Sequence, residues 1–206
     1  LEKDYHLAFP FVFEYENNVS CIPENSEGRN VGLYRYELES GKLSFEKTLV
    51  PDLKAVDPTL FHHNNLWWLF FTDKTSTNER LHAWYSENVF GPFSPHANNP
   101  VKVDIRSSRP AGIPFMQGGM RLRPAQDCSM RSGRRICINQ VVKLSKTEFE
   151  EKEYAVLNPS PTSKYHDGMH TFNRTNGLII VDAKRECFIW QSFAKKMAVK
   201  FNRFIK

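Results

Sequence analysis

The sequence predicts an all-β fold of the β-propeller type, on three observations. A hairpin pattern recurs along the chain at intervals of roughly 50 residues. Further β-rich segments lie between the hairpins, so that each unit holds about four strands, which is typical of one propeller blade. The chain has 206 residues, of which 40% are hydrophobic and 13% aromatic, and this composition is typical of a folded domain with a substantial core.

The hairpins set the boundaries of the repeating units. Each has a short first strand with a phenylalanine, a turn with Asn-Asn, Gly-Gly or Asn-Gly, and a second strand that ends near a carboxylate. The four stretches are "FPFVFEYENNVSCIPE" (9–24), "DPTLFHHNNLWWLFFTD" (57–73), "RPAGIPFMQGGMRLRPAQD" (109–127) and "HTFNRTNGLIIVD" (170–182). The first three open on X-Pro, and their prolines are 48 and 52 residues apart. We therefore predict a propeller domain over residues 1–183, with blades that start near residues 6, 55, 107 and 168.

The segments between the hairpins supply the outer strands of each blade. They are "VGLYRYEL" and "KLSFEKTLV" in the first unit, "RLHAWYSEN" with a following Gly-Pro turn in the second, and "RRICINQVVKL" with "KEYAVLNP" in the third. About three and a half to four blades are thus present. Because a blade buries its faces only against its neighbours, we expect either that a blade is missing on the N-terminal side or that the arc closes unusually tightly.

The C-terminal segment differs from the rest of the chain in charge and periodicity. Residues 184–206 carry seven Lys or Arg and one Glu, whereas residues 1–183 are nearly neutral, so the pI near 9.0 does not indicate nucleic-acid binding. Aromatic and apolar residues recur here every three or four positions: Trp190, Phe193, Met197, Phe201 and Phe204. This spacing predicts a basic amphipathic helix within residues 184–206. It either docks on the propeller or leads to a further domain; the alternative is that residues 188–206 contact a membrane surface.

Several other functions find no support in the sequence. No apolar run reaches the roughly 18 residues of a membrane-spanning helix. The four cysteines form no CxxC pair, which argues against a zinc site. There is no phosphate-binding glycine-rich loop, nucleophile elbow or HExxH motif.

Polar residues at the strand ends define a candidate site. The first strand of a blade lines the central channel, so residues at its start should converge on one mouth of that channel. These residues are His6, Asp57, Arg109 and His170, and the ends of the second strands add Glu24, Asp73, Gln126 and Asp127. Paired carboxylates in a cleft suit glycoside chemistry, with Asp57, Asp127 and Glu24 as catalytic candidates and the other residues as substrate-binding candidates.

Simpler interpretations stay open for several of these residues. Asp57 precedes a proline and could cap a turn, or it could form an ion pair with Arg109 across blades. Glu24 could be solvated in its loop, and His170 could be a core histidine. Asp182, just after the last strand, is interpreted as a loop residue.

The ordered set of motifs also carries a resemblance to a known family. The stretches "HLAFPFVFEYENNVSCIPENSEGRNVGLYR", "DPTLFHHNNLWWLFFT", "LHAWYSENVFGPFSPHANNPV", "SRPAGIPFMQGGMRLRPAQDCS" and "HTFNRTNGLIIVD" resemble the N-terminal propeller domain of glucosamine inositolphosphorylceramide transferase-like proteins. That domain is similar in turn to the five-bladed propellers of arabinanases, levansucrases and invertases. The likeness covers residues 5–185.

The resemblance implies five blades, with the first blade absent from this chain. In the enzyme superfamily that blade supplies the aspartate that acts as base or nucleophile. Asp57 resembles the aspartate that stabilises the transition state or tunes the acid, and Glu24 or Asp127 would be the acid. His170 resembles a histidine near a channel cation, such as calcium, or a water; no other cofactor is indicated. Transferase activity belongs to a separate domain of the relatives and is not implied for these residues.

Three functions remain as hypotheses. The first is a carbohydrate-active, glycosidase-like propeller that binds or processes a sugar in surface-glycan or glycolipid metabolism. The second is a non-catalytic glycan-binding or scaffold propeller that serves a partner transferase. The third, a pure protein-interaction propeller, predicts an uncharged channel mouth, and Asp57, Arg109 and Asp127 argue against it. The compartment stays open: cytoplasmic or membrane-peripheral for a bacterial parent, Golgi lumen for a plant-like one.

Overall fold

The structure, a computed structural model, describes residue 4, residues 6–175 and residues 177–187. Within these residues the secondary structure is fifteen β-strands and one short 3₁₀ helix, with no α-helix. The all-β prediction is therefore confirmed for this part of the chain. The helix predicted within residues 184–206 falls mostly outside the described residues; residues 184–187 are not helical, and Lys184 instead pairs with Gly168.

The strands form three antiparallel meanders followed by a hairpin. The first sheet has the order β1 to β4, with bounds Ala8–Tyr15, Asn18–Glu24, Asn30–Glu37 and Lys42–Pro51. The second sheet contains β5 (Ala55–His63), β6 (Leu66–Asp73), β7 (Arg80–Ser86), β8 (Ser94–Pro95) and β9 (Lys102–Val103), with β8 and β9 both paired to β7. The third sheet has the order β10 to β13, with bounds Phe115–Gln117, Met120–Asp127, Arg135–Leu144 and Phe149–Leu157. The hairpin consists of β14 (Phe172–Thr175) and β15 (Leu178–Val181).

Tight turns close the inner hairpins where the sequence pattern predicts them. Asn64 and Asn65 both have positive φ angles (50° and 60°) and join β5 to β6, and Gly118-Gly119 joins β10 to β11 in the same way. Two consecutive left-handed residues make the turn type whose twist matches a β-hairpin. In the first hairpin the turn lies one residue earlier than predicted, at Glu16-Asn17, because Tyr15 pairs with Asn18.

The hydrophobic core lies between adjacent sheets, as β6 illustrates. Its alternate residues Leu69 and Phe71 pack into a cluster with the first sheet, whereas Trp68 and Phe70 pack into a cluster with the third sheet. Both faces of this strand are therefore buried, which explains the unbroken apolar run "LWWLFF". A third cluster joins the third sheet to the hairpin through Phe172. Each sheet is thus stabilised chiefly by its neighbours, as expected for blades.

A buried ion cluster links the second sheet to the third. The Arg123 guanidinium donates to both carboxylate oxygens of Glu151 at 2.8 and 2.6 Å, and Lys102 Nζ donates to the same carboxylate at 2.6 Å. The side chains of Arg123 and Glu151 are only 1% and 2% exposed. Arg123 also donates to the carbonyl oxygen of Ser107, so the cluster fixes the segment that leads from β9 toward β10.

Candidate functional site

Two residues that precede prolines lie near the starts of the inner strands β1 and β5. Phe9 and Asp57 each precede a proline, each has a positive φ angle (39° and 50°), and at each the pairing with the second strand shifts register. Such a backbone conformation is strained for a residue with a side chain, by about 1–3 kcal/mol. The first and second sheets thus use the same irregularity at the same place, and Phe9 in one sheet corresponds to Asp57 in the next.

Asp57 is the centre of a buried polar cluster. Its carboxylate accepts hydrogen bonds from Arg109 Nε at 2.6 Å and from Gln126 Nε2 at 2.7 Å. Its backbone N–H donates to Glu24 Oε2 at 3.3 Å. Asp57 is 3% exposed, and its partners come from positions 33 to 69 residues away. The structure thus shows the ion pair with Arg109, and the carboxylate is bound by groups of the third sheet and its approach rather than by its own turn.

Arg109 is held by contacts from three directions. Besides Asp57, its Nη1 donates to Asn78 Oδ1 at 3.1 Å and to Ser132 Oγ at 3.4 Å. Gln126 is 1% exposed, and its Nε2 donates both to Asp57 and to the carbonyl oxygen of Pro110, the latter at 2.8 Å. The guanidinium is therefore fixed in position at the edge of a large cavity.

Glu24 differs from Asp57 in its electrostatic environment. It lies at the end of β2 and is 6% exposed. Burial, and next the nearby Asp57 carboxylate, raise the pKa of Glu24, although hydrogen bonds from Asp57 N–H and Ser26 Oγ partly oppose this. Burial and a like charge both favour the neutral acid, so this site holds one carboxyl group that keeps its proton more readily than usual beside one that is paired with an arginine.

His170 forms an ion pair with Asp182 at the same mouth. His170 Nδ1 contacts Asp182 Oδ2, and the other oxygen of Asp182 accepts from the backbone N–H groups of His170 and Thr171 at 2.8 and 2.6 Å. The hydrogen bond to Asp182 raises the pKa of His170, burial opposes it, and the charges of Asp182 and Asp57 add to the rise. Asp182 is therefore more than a loop residue, a role that the sequence pattern did not reveal.

The pair predicts a defined pH dependence of stability. The pKa of His170 is raised from 6.5, so its contribution to the free energy of unfolding is present below pH 6.5 and is lost as the pH rises through the folded value. The pKa of Asp182 is lowered from 3.8, so its contribution is present above pH 3.8 and is lost as the pH falls through the folded value. We expect Asp182→Asn, which keeps an acceptor oxygen, to lower the melting temperature most between about pH 4 and 6.5. Thermal unfolding across pH measures this, and a deficit that does not shrink above the folded pKa of His170 would contradict the assignment.

These residues surround one cavity of about 1020 Å³. Of the residues predicted from the sequence, His6, Glu24, Asp57, Arg109 and His170 line it. Sequence reasoning did not assign to the site the apolar lining of this cavity, which includes Phe11, Phe13, Ile113 and Ile180, or its polar residues Glu14, Lys74, Thr171, Asn173 and Arg174. The alternation of "FPFVF" gave a usable signal, because Phe9, Phe11 and Phe13 are every second residue of this part of β1.

Two predicted carboxylates are held by local contacts away from the cavity lining. Asp127 accepts from the Ser129 backbone N–H at 2.9 Å and from Arg135 Nε at 2.7 Å. Burial opposes ionisation of Asp127, but the hydrogen bonds from Ser129 and Arg135 prevail and lower its pKa. Asp73 caps the 3₁₀ helix Lys74–Ser76 by accepting from Thr75 N–H at 2.8 Å. The structure thus separates these two residues from the Glu24–Asp57 pair.

The described residues contain no arrangement for a metal ion of the usual kind. Among them, no group of three or more His, Cys, Asp or Glu side chains is placed to hold one. No helix in this part of the chain is long and apolar enough to cross a membrane.

Comparison with known proteins places the chain in a family. The family model described as "Glucosamine inositolphosphorylceramide transferase 1, N-terminal" matches residues 1–177. The chain belongs to this family. It is 36% identical over 157 residues to glucosamine inositolphosphorylceramide transferase 1 of Oryza sativa subsp. japonica and 35% identical over 159 residues to the Arabidopsis thaliana protein of the same name. These matches cover 73% and 74% of this chain but 21% of each relative, so the chain spans about a fifth of the length of the curated relatives it matches.

Several glycosidases are among the solved structures that share this fold. An α-L-arabinofuranosidase from Clostridium thermocellum aligns with a TM-score of 0.58 at 11% identity, over 87% of this chain and 64% of that one. A β-xylosidase/α-arabinofuranosidase from a compost microbial metagenome aligns with a TM-score of 0.57 at 14% identity, over 86% of this chain and 70% of that one. At these identities the likeness concerns the fold alone, and the predicted β-propeller architecture is confirmed.

Proposed function

We propose that this family member binds a sugar in the cavity at the Glu24–Asp57–Arg109 cluster, as the glycan-recognition part of a protein of surface-glycan or glycolipid metabolism. The observation that carries the proposal is the composition of one cavity: fixed hydrogen-bonding groups at its edge and the phenylalanines of β1 along its wall. Sugars present hydroxyl groups at their edges and apolar C–H faces. A site for them therefore combines an apolar lining with a few oriented polar groups.

The orientation of the polar groups supports recognition of hydroxyl groups. Arg109 and Asp57 are held by several contacts each, so little conformational entropy is lost when a ligand binds to them. Lys74 and His170 add donors on the same cavity, and Glu24 adds a carboxyl group that can donate as well as accept when protonated.

Family membership supports the class of ligand. The relatives are named glucosamine inositolphosphorylceramide transferase 1, and this chain matches the family model of their N-terminal part. We infer that the parent protein handles a glycan or glycolipid and that this domain serves a transferase domain or partner. Contact of residues 188–206 with a membrane surface remains a separate proposal, since these residues lie outside the described ones.

A second candidate function is sugar processing, and the raised pKa of Glu24 favours it. A carboxyl group with a raised pKa beside a second carboxyl group is the arrangement that glycosidases use to protonate a leaving group. Asp57 argues against a catalytic role for the pair, because its carboxylate already accepts hydrogen bonds from Arg109 and Gln126. Binding without hydrolysis is therefore the primary proposal.

One experiment tests binding and separates it from catalysis. The chain is titrated calorimetrically with glucosamine, inositol, and arabino- and xylo-oligosaccharides, and each mixture is then assayed for hydrolysis. We expect at least one ligand to bind and to remain intact. Glu24→Gln reproduces the shape of the neutral acid, so binding should survive in this variant, while any hydrolysis by the wild type should be lost.

The outcomes are distinct. Hydrolysis by the wild type that disappears in Glu24→Gln would replace the binding proposal by the catalytic one. Failure of every sugar to bind would remove both.

A further inference from the structure

A second cavity of about 870 Å³ lies between the second and third sheets, near the turns Asn64-Asn65 and Gly118-Gly119. Asp57 stands near the start of β5 and Asn64 just after its end. Seven residues of extended chain separate them by roughly 20 Å. The second cavity is therefore a different place from the candidate sugar site, and a ligand could bind there whether or not the first cavity binds a sugar.

The lining of this cavity has an unusual charge composition. It contains the cations Arg121 and Lys143, the imidazoles of His62 and His63, and three side-chain amides, but no carboxylate. The candidate sugar site, in contrast, mixes three carboxylates with its cations. The second cavity is thus rich in hydrogen-bond donors and has no negative group of its own.

Arg121 is the central group because its charge has no protein counter-ion. Its Nε donates to His63 Nδ1 at 3.1 Å, and its guanidinium carbon lies 5.7 Å from the centre of the Phe61 ring. Across the described residues, no carboxylate lies within 4.0 Å of Arg121, and no protein acceptor binds its terminal Nη nitrogens. Lys143, by comparison, has Glu148 and Glu150 at 3.6 Å each.

The burial of Arg121 makes this lack of a partner costly. The guanidinium is partly removed from water, and burial lowers the pKa of Arg121, which nevertheless stays ionised at any physiological pH. A half-buried cation without a counter-ion is stabilised when an anion occupies the adjacent space. His63 accepts the bond from Arg121 at Nδ1 and therefore carries its own proton on Nε2, as a further donor.

We propose that this cavity is an oxyanion site, which binds a phosphoryl or sulfate group through the free Nη edge of Arg121. The planar edge of a guanidinium matches the spacing of two oxygens of such a group, and amide and imidazole donors around it complete the shell. The group is either a free anion or part of a phosphorylated sugar.

The test uses inorganic phosphate and glucose 6-phosphate as probes. Chloride at equal ionic strength and glucose serve as controls, and binding is followed calorimetrically and by the NMR signals of the arginine Nε–H groups. We expect at least one phosphoryl probe to bind and to shift the Arg121 signal, while chloride and glucose do not. Binding of both probes points to a site for the anion itself, and binding of glucose 6-phosphate alone points to a phosphorylated sugar.

Matched variants complete the test. Arg121→Gln should weaken binding of the phosphoryl probe at least about tenfold, because two charge-assisted hydrogen bonds are lost. Arg106→Gln is the control, since Arg106 is an exposed arginine that pairs with Asp104 outside both cavities. No binding of either probe, equal binding to wild type and Arg121→Gln, or an unmoved Arg121 signal in the wild type would each overturn the proposal. The last measurement needs no variant and so does not depend on the folding of Arg121→Gln.

Discussion

We expect Glu151→Ala to lower the free energy of unfolding by about 3–5 kcal/mol, the largest effect of any substitution considered for this protein. Glu151 accepts from both Arg123 and Lys102, and its side chain is 2% exposed. Removal of this carboxylate leaves the fully buried Arg123 guanidinium without its counter-ion. Chemical denaturation followed by tryptophan fluorescence measures the change, because Trp68 is buried in the core between the same two sheets.

Glu148→Ala is the matched control for this prediction. Glu148 is also a glutamate paired with a lysine, but it is 64% exposed and its partner Lys143 lies 3.6 Å away. Exposed ion pairs contribute about 0–1 kcal/mol, so the control should be nearly as stable as the wild type. Equal stability of the two variants would show that the cluster does not hold the second and third sheets together.

The same cluster predicts sensitivity to acid. Burial raises the pKa of Glu151, but the charges of Arg123 and Lys102 outweigh it, and the net shift is downward from 4.5. A carboxyl group with a lowered folded pKa contributes stability above its unfolded pKa and loses that contribution as the pH falls through the folded value. The stability difference between wild type and Glu151→Ala should therefore shrink in strong acid.

The second large effect concerns Arg109 and ligand binding. Arg109→Lys keeps the positive charge but cannot reach Asp57 and Asn78 with the same planar fork. We expect at least about a tenfold loss of sugar affinity, because hydrogen bonds to charged groups contribute about 1.5–3 kcal/mol. Calorimetric titration with the sugar that binds the wild type measures this loss.

A comparable exchange on the surface provides the control. Arg35 pairs with Glu46 on the outer strands of the first sheet, and Arg35→Lys should leave sugar affinity unchanged. Circular dichroism of both variants shows whether the fold is intact. If Arg109→Lys is folded and binds as tightly as the wild type, Arg109 only supports the structure and does not recognise the ligand.

Much of the fold could be predicted because its signals are local. The turns at Asn64-Asn65 and Gly118-Gly119 require left-handed backbone, and the residues present there supply it cheaply. The run "LWWLFF" predicts a strand buried on both faces, and β6 is such a strand. The first turn was misplaced by one residue because Glu16 adopts a left-handed conformation that its residue type does not signal.

The candidate site could be predicted only in part because its decisive contacts are non-local. Asp57 and Asp127 look alike in the sequence, since each lies at a strand end beside a proline or a small residue. Asp57 accepts from residues 52 and 69 positions away, whereas Asp127 accepts from Ser129 and Arg135, which are near in sequence. The packing of one sheet against the next decides which aspartate lies at the cavity. The pairing of His170 with Asp182 spans only the final hairpin, 12 positions apart, and was missed because the sequence pattern places Asp182 in the loop after the last strand.

The most direct test of the central claim is the response of Arg109 to sugar. The Nε–H signal of Arg109 is recorded by NMR while the wild-type chain is titrated with the sugar that binds it, and the Arg121 signal is recorded in the same spectra. Binding at the Glu24–Asp57–Arg109 cavity predicts a saturable shift of the Arg109 signal and no shift of the Arg121 signal, because the two arginines line different cavities. A sugar that binds without any shift of the Arg109 signal would contradict the claim that this cavity is the recognition site.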